Sequence, residues 1–172
     1  LTIKRYDDGL ASSYMHQKRP GDTVEIGPIE GALSLADPSR DVASIASGTG
    51  LTPMMAMLRQ YLREGTGHAH IILGEKREET IIHRETLNEL AANNPNLALT
   101  FVLSDPNWEW TGRIGYAQDH LEALFDEFTE RDFYVCGVPP MVVQTKERLA
   151  ELGAPDERVH SEGWEDSAVA DD

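Results

Sequence analysis

The sequence is poor in residues that form covalent or metal-based cross-links, because it contains one cysteine in 172 residues. A single cysteine excludes a disulfide within the chain and any multi-cysteine zinc or iron–sulfur site built by this chain alone. No run of about 18 apolar residues is present, so we expect no membrane span, and no charged-then-apolar leader indicates secretion. These absences predict a cytoplasmic protein.

Basic residues are scarce as well. The chain has 15 Lys and Arg residues against 30 Asp and Glu residues, which gives a net charge of −15. Nucleic acid is excluded as a ligand, because phosphate contacts require a basic surface. Two explanations of the charge remain open: a generally acidic protein, or a halophilic one whose self-repulsion is screened by a salt-rich cytoplasm. We favour the second.

Metal and hydrolase sites are not indicated by the sequence. Two of the six histidines, His68 and His70, share a strand face, but no acidic residue or cysteine follows them at metal-ligand spacing. No G-x-S-x-G motif is present, which excludes the usual serine-hydrolase arrangement. We therefore expect no metal.

The first 38 residues have the pattern of antiparallel β-structure. Short apolar stretches between Gly- and Pro-containing turns predict strands at 1–6, 23–26 and 32–35, with a short helix at 12–18. These are too few strands to close a barrel.

From residue 41 onward, apolar strand patterns alternate with helical ones. The predicted strands are 42–46, 69–73, 98–103, 132–136 and 157–161. The predicted helices are about 53–64, 83–93, 116–127 and 140–152. This alternation predicts an α/β fold, in which a parallel sheet carries helices on both faces.

A glycine-containing turn follows the first of these strands. Gly48 and Gly50 allow positive φ angles and close approach of a ligand to the backbone. Thr52 is a suitable N-cap and Pro53 suits the first helical position. Such a strand–turn–helix directs free N–H groups and the positive end of a helix dipole at one point, which favours a phosphate. A tight turn with a capped helix and no ligand is the alternative, since the spacing matches neither G-x-G-x-x-G nor a P-loop.

A second turn of the same kind stands near the other end of the chain. A strand ends at Cys136, Gly137 makes the turn, and Pro139 and Pro140 open a helix. Ligands of open parallel sheets bind beyond the carboxyl ends of the strands, so the two turns together predict a binding cleft. Cys136 could also be a small buried side chain, the usual role of a free cysteine.

Both turns resemble motifs of the ferredoxin reductase-like flavoprotein family, GGTG-[IL]-TP and CGPPPM. Here they read SGTGLTP from residue 47 and CGVPPM from residue 136, with Ser47 and Val138 in place of a Gly and a Pro. The segments GEKREETIIHRETL, VLSDPNWEWTGRIGYAQDHL and HSEGW are also similar to the family, and GLASSYM from residue 9 is similar to its G-x-x-S-x-x-L segment.

The resemblance implies a division of the chain into domains. Residues 1–38 would be part of an antiparallel FAD-binding barrel, 39–165 the NAD(P)-binding domain and 166–172 a flexible acidic tail. The family's R-x-Y-[ST] flavin motif is absent and would lie before residue 1. We therefore expect either a longer natural protein or a shortened form that holds FAD weakly.

The resemblance also implies roles for the residues of the first turn. Gly48, Thr49 and Gly50 would bind the pyrophosphate of the nicotinamide dinucleotide. Thr52 would lie near the flavin side of the cleft, and Pro53 would complete this motif.

The second turn would hold the reacting ring. Cys136 would lie beside the nicotinamide C4 atom, in a pocket shaped by Gly137, Pro139 and Met141. Glu162 would be a polar catalytic partner in the cleft, although a simple surface acid fits the sequence equally well.

Flavin and ribose contacts complete the implied set. Trp164 would cover the flavin or, alternatively, cap an edge of the core. The pair Ser104 and Asp105 would meet the adenosine ribose, where a carboxylate favours NADH and repels the 2′-phosphate of NADPH.

The FAD pyrophosphate would bind in the first domain. Its contacts would come from Gly9, Ser12, Ser13 and Tyr14, with Ser12 also a possible helix N-cap. The implied function is flavin-dependent electron transfer from NAD(P)H through FAD to a ferredoxin, an oxygenase component or a similar redox acceptor. The alternative is a non-catalytic nucleotide-binding or regulatory module that has lost its flavin half.

Overall fold

The computed structural model describes residues 1–28 and 31–162. They belong to two compact units, Leu1–Ala32 and Leu33–Asp172. Among these residues, no helix combines the length and apolar character that crossing a bilayer requires.

In the described part of the first unit there is one helix, α1 (Leu10–His16). The described part of residues 1–41 forms no strand, so the strands predicted at 1–6, 23–26 and 32–35 are wrong. A strand becomes stable when neighbouring strands accept its backbone hydrogen bonds, and isolated short segments do not provide a sheet. Helix α1 begins two residues earlier than predicted, with Gly9 as its N-cap.

The second unit is an α/β fold, as predicted. In chain order its elements are β1 (Val42–Ser47), α2 (Leu51–Glu64), β2 (Ala69–Glu75), α3 (Arg84–Asn93), β3 (Leu97–Leu103), β4 (Arg113–Ile114), α4 (Leu121–Leu124), β5 (Asp132–Cys136), α5 (Pro139–Glu151) and β6 (Val159–Ser161). Six strands form one sheet in the order β4-β3-β2-β1-β5-β6, and every neighbouring pair is parallel.

Both faces of this sheet are covered by helices. On one face α2 and α3 bury residues such as Met54, Tyr61 and Leu87 in one apolar cluster. On the other, α4 and α5 contribute Leu121 and Val142 to a second cluster. Strands buried on both faces are continuously apolar, which explains the uninterrupted runs seen in the sequence.

Two predictions about local structure need correction. The helix predicted at 116–127 is a 3₁₀ turn, Ala117–His120, followed by the single turn of α4. It stops there because Phe125 adopts extended backbone and its ring packs edge-on against Phe128 and Phe133. The two-residue strand β4 was not predicted, because its pairing with Val102 and Leu103 has no local sequence signal.

Candidate functional site

The two glycine turns lie side by side at the point where the strand order changes direction. From β1 the chain proceeds to β2 and β3 on one side, whereas β5 lies on the other. The carboxyl ends of β1 and β5 are adjacent, with Ala46 paired to Cys136. Such a switch point is where open parallel sheets bind ligands. The fold therefore brings together the two motifs that the sequence separates.

Contact between the turns is close. A Cβ added at Gly50 would lie 2.7 Å from the Gly137 amide nitrogen and nearer still to the Cys136 carbonyl. A Cβ at Gly137 would lie 2.5 Å from the Met141 methyl carbon and would collide with Ser47 Oγ. These two glycines are required by packing, because no side chain fits between the turns.

Ser47 makes a direct link that the sequence did not reveal. Its Oγ accepts a hydrogen bond of 3.1 Å from the Val138 backbone N–H, which belongs to the second turn. The family motif has glycine at position 47 and proline at 138, and proline has no N–H to donate. The two departures from the motif thus form one hydrogen bond.

The helix that follows the first turn begins earlier than predicted. Gly48–Gly50 is a 3₁₀ turn that runs into α2 at Leu51, with Gly50 as the N-cap. Thr52 is therefore inside the helix, and its hydroxyl donates to the Thr49 carbonyl at 2.7 Å rather than accepting an amide. The predicted N-cap at Thr52 and first helical position at Pro53 are wrong, because the 3₁₀ turn starts the helix earlier.

Gly48 holds the conformation expected of a phosphate-binding turn. Its φ is +53°, in the left-handed region, and no atom lies within 4 Å of where its Cβ would be. Its N–H is already engaged, since it donates to Glu75 Oε1 at 2.9 Å. Glu75 ends β2, and sequence reasoning missed it, although a carboxylate at the end of an apolar strand is a recognisable signal.

The second turn leads directly into α5. The prolines open this helix as predicted: Pro139 is the first helical residue, one residue before the predicted start at 140, and Val138 is the N-cap. Met141 is buried in the second core cluster and its sulfur lies 3.2 Å from Thr145 Oγ1, so it supports the turn from beneath. Cys136 is half-buried and packs against the first core cluster.

Ser104 and Asp105 extend the sheet edge beyond β3. Their amides donate to the carbonyls of Glu75 and Lys76 at 3.0 and 2.9 Å. The Asp105 carboxylate is paired: Oδ2 accepts from Arg77 Nε at 3.0 Å and Nη2 at 2.9 Å. Both side chains are about half exposed. The carboxylate predicted to contact the ribose is therefore paired with the Arg77 guanidinium.

Glu162 directly follows β6, whose last residue, Ser161, pairs with Val135 of β5. Glu162 Oε2 accepts the Leu33 N–H at 2.9 Å, so this carboxylate is held by a backbone amide. Trp164 lies outside the described residues.

The residues predicted to bind the FAD pyrophosphate are in the first unit. Ser12 Oγ accepts the Tyr6 N–H at 3.2 Å and lies 3.2 Å from the Gly9 carbonyl, so Ser12 is not an N-cap. Ser13 Oγ lies 3.4 Å from the Tyr6 carbonyl. Tyr14 is half exposed, with the Lys18 ammonium 4.0 Å from its ring centre.

The pKa of His70 is strongly perturbed, but this side chain lies near the start of β2, at the end of the sheet opposite the two turns. Burial, with the positive charges of Arg131 and Arg113, lowers the pKa of His70 to about 4. His70 is the second residue of β2, and its Nε2 lies 2.8 Å from Thr100 Oγ1. Among the described residues no set of three His, Cys, Asp or Glu side chains could hold a metal ion.

Comparison with known proteins gives consistent results. The model of the oxidoreductase NAD-binding domain family matches residues 45–147, which include both turns. Ferredoxin–NADP reductase B of Sorangium cellulosum (strain So ce56) is 35% identical over 176 residues, covering 96% of this chain and 71% of that protein. The ferredoxin reductase component of 3-ketosteroid-9-alpha-monooxygenase from Mycolicibacterium smegmatis is 32% identical, covering 94% of this chain and 45% of that protein.

The fold of this chain is also found in solved structures. The CS-b5R domains of human Ncb5or, in the NAD⁺ form, align over 92% of this chain with a TM-score of 0.83 and 28% identity. The alignment covers 47% of the human chain, so this chain spans about half the length of several proteins that it matches.

Proposed function

The chain belongs to the ferredoxin reductase-like family of NAD-binding oxidoreductases, and on this basis we propose that it takes hydride from NADH and passes electrons through FAD to a protein acceptor. The observation that carries this proposal is the contact between the two glycine turns at the switch point of the sheet. One turn offers backbone amides at the start of a 14-residue helix, and the other presents Cys136 at a strand tip.

In this proposal the turns divide the work of binding the dinucleotide. Gly48, Thr49 and Gly50 hold the pyrophosphate, since the left-handed Gly48 leaves open space beside the backbone. Cys136 and Gly137 line the pocket that holds the nicotinamide ring. When bound, FAD supplies the chemistry that accepts hydride and releases single electrons. The chain's own task is to orient the nicotinamide and exclude water from it.

The flavin contacts are assigned to the first unit. A pocket of about 430 Å³ there is lined by Gly9, Ser13 and Tyr14, and also by Asp7 and Asp8, whose carboxylates oppose a phosphate. The proposed domain division is 1–38 for the flavin part, 39–165 for the nicotinamide part and 166–172 for an acidic tail.

We assign NADH rather than NADPH as the reductant. Both Arg77 contacts fall on Asp105 Oδ2, and within residues 1–28 and 31–162 no hydrogen bond to Oδ1 is formed. Oδ1 can accept from a ribose hydroxyl, whereas a 2′-phosphate would have to take Arg77 from Asp105. Ferredoxin or an oxygenase component is the proposed acceptor, by analogy with the names of the two bacterial relatives.

The proposal is tested by loading the purified protein with FAD and mixing it with NADH or NADPH in a stopped-flow spectrometer. We expect the oxidised-flavin absorbance to bleach with either nucleotide and kcat/KM to favour NADH. NADH binding without flavin reduction, in protein whose visible absorbance shows that FAD is bound, would identify a non-catalytic nucleotide-binding module instead. A preference for NADPH would refute the role of Asp105.

A further inference from the structure

Glu75 places a carboxylate directly on the turn assigned to the pyrophosphate. Its Oε1 accepts the Gly48 N–H at 2.9 Å, and its Oε2 lies 3.1 Å from the Thr80 hydroxyl. Thr80 belongs to the 3₁₀ turn Glu78–Thr80 that follows β2. The carboxylate is thus oriented from two sides, by the turn it contacts and by its own loop.

This contact is of the kind that a ligand phosphate would make. Gly48 lies at the start of the segment that leads into α2, where amides and the helix dipole favour negative charge. An amide hydrogen forms one well-aligned hydrogen bond, so a phosphate oxygen and the Glu75 carboxylate compete for the Gly48 N–H. A phosphate that binds elsewhere on the turn still meets the charge of Glu75.

Two neighbouring arginines form ion pairs with other carboxylates. Arg77, two residues further on, directs its guanidinium at Asp105. Arg84, at the start of α3, forms an ion pair with Glu78. Both guanidiniums therefore contact carboxylates other than Glu75.

We propose that Glu75 is a specificity-determining residue that acts as an internal anion in the dinucleotide site. Its carboxylate accepts the hydrogen bond of the Gly48 N–H when no nucleotide is bound. It also weakens the binding of a ligand in proportion to the negative charge that the ligand brings to the turn. This inference rests on the proposed function, because it concerns the same binding site. It predicts that the site disfavours highly charged ligands independently of Asp105.

The decisive variant is Glu75→Gln, which removes the charge and retains an oxygen that can accept the Gly48 N–H. Glu75→Ala removes both. Glu79→Gln is the matched control, because Glu79 is an exposed acid of the same loop. Affinities of the whole chain for inorganic pyrophosphate and for NADH are measured by calorimetry at low and at molar salt.

We expect Glu75→Gln to bind pyrophosphate about tenfold more tightly than the wild type at low salt, with a smaller gain for NADH. Glu75→Ala should gain as much, Glu79→Gln should bind as the wild type does, and the differences should shrink at molar salt because the charge is screened.

Three outcomes would overturn the inference. Unchanged affinities in Glu75→Gln, with NADH still bound by the wild type, would refute it and leave the proposed function standing. Weaker binding in Glu75→Ala with unchanged binding in Glu75→Gln would show that Glu75 only supports the turn. Absence of NADH and pyrophosphate binding in all four proteins would refute the proposed function, and this inference with it.

Discussion

Replacing Gly50 with alanine tests whether contact between the two glycine turns holds the candidate site together. The backbone of Gly50 has φ −59° and ψ −15°, which alanine adopts without strain. Gly50 is the N-cap of α2, where alanine is less favourable than glycine by up to about 1 kcal/mol. A loss of stability in Gly50→Ala greater than this must therefore come from the new Cβ and its neighbours.

Those neighbours cannot move out of the way easily. The Cβ would lie 2.7 Å from the Gly137 nitrogen and closer to the Cys136 carbonyl, and both are backbone atoms at the end of β5. Restoring ordinary contact with the Cys136 carbonyl oxygen, the nearest atom, requires the turns to separate by roughly 1.2 Å. Overpacking of this kind costs about 1–3 kcal/mol. For a chain of this size we expect Tm to fall by roughly 2–12 °C.

The assay combines thermal unfolding with NADH titration. Gly50→Ala should lower both Tm and NADH affinity, because the displaced turn carries the pyrophosphate contacts. Gly153→Ala is the control: φ is +86°, no atom lies within 4 Å of its Cβ position, and it follows the far end of α5. It should lose about 1 kcal/mol from left-handed strain and bind NADH normally. A Gly50→Ala protein as stable as the wild type would refute the reasoning.

Three further predictions concern acid, the cysteine and salt. Burial and two arginines lower the pKa of His70 from 6.5 to about 4 in the folded protein, so the unfolded chain binds this proton more readily. The free energy of unfolding should therefore be at its full value above about pH 6.5 and fall as the pH is lowered towards 4. In urea unfolding, the free energy of unfolding of the wild type should decrease over that range by up to about 3 kcal/mol more than that of His70→Gln. Equal decreases in the two proteins would contradict this prediction. Cys136→Ala should bind NADH within a few-fold of the wild type but reduce flavin more slowly in single turnovers; an unchanged rate would remove Cys136 from the ring contact. If the net charge of −15 reflects salt adaptation, Tm should rise from low to molar salt, and a flat or falling Tm would favour a merely acidic protein.

Local patterns predicted most of the second unit. Strands β1, β2, β3 and β5 were placed within two residues at each end, because strands covered on both faces are apolar throughout and are bounded by turn residues. The predictions failed where a segment depends on distant partners. The short strands before residue 38 lack neighbours in the described chain, and β4 exists only through its pairing with β3.

The candidate site shows the same division. Gly48, Gly50 and Gly137 were identified from the sequence, because glycine beside a strand end has a local conformational meaning. The contacts of Glu75, Arg77 and Ser47 were not, because each side chain bonds to a partner on another element. The Glu75 to Gly48 bond spans 27 residues and the Ser47 to Val138 bond spans 91.

The sequence by itself determined the α/β architecture of the second unit and the two glycine turns, since hydrophobic periodicity and backbone freedom are properties of a few neighbouring residues. Only the tertiary structure decided which turns meet, because strand order places β5 beside β1 and joins segments about 90 residues apart. It also determined which charged groups meet at the candidate site: the Glu75 carboxylate accepts the Gly48 N–H, and Arg77 pairs with Asp105. Charges act through space, so their effect follows from distance and not from position in the chain.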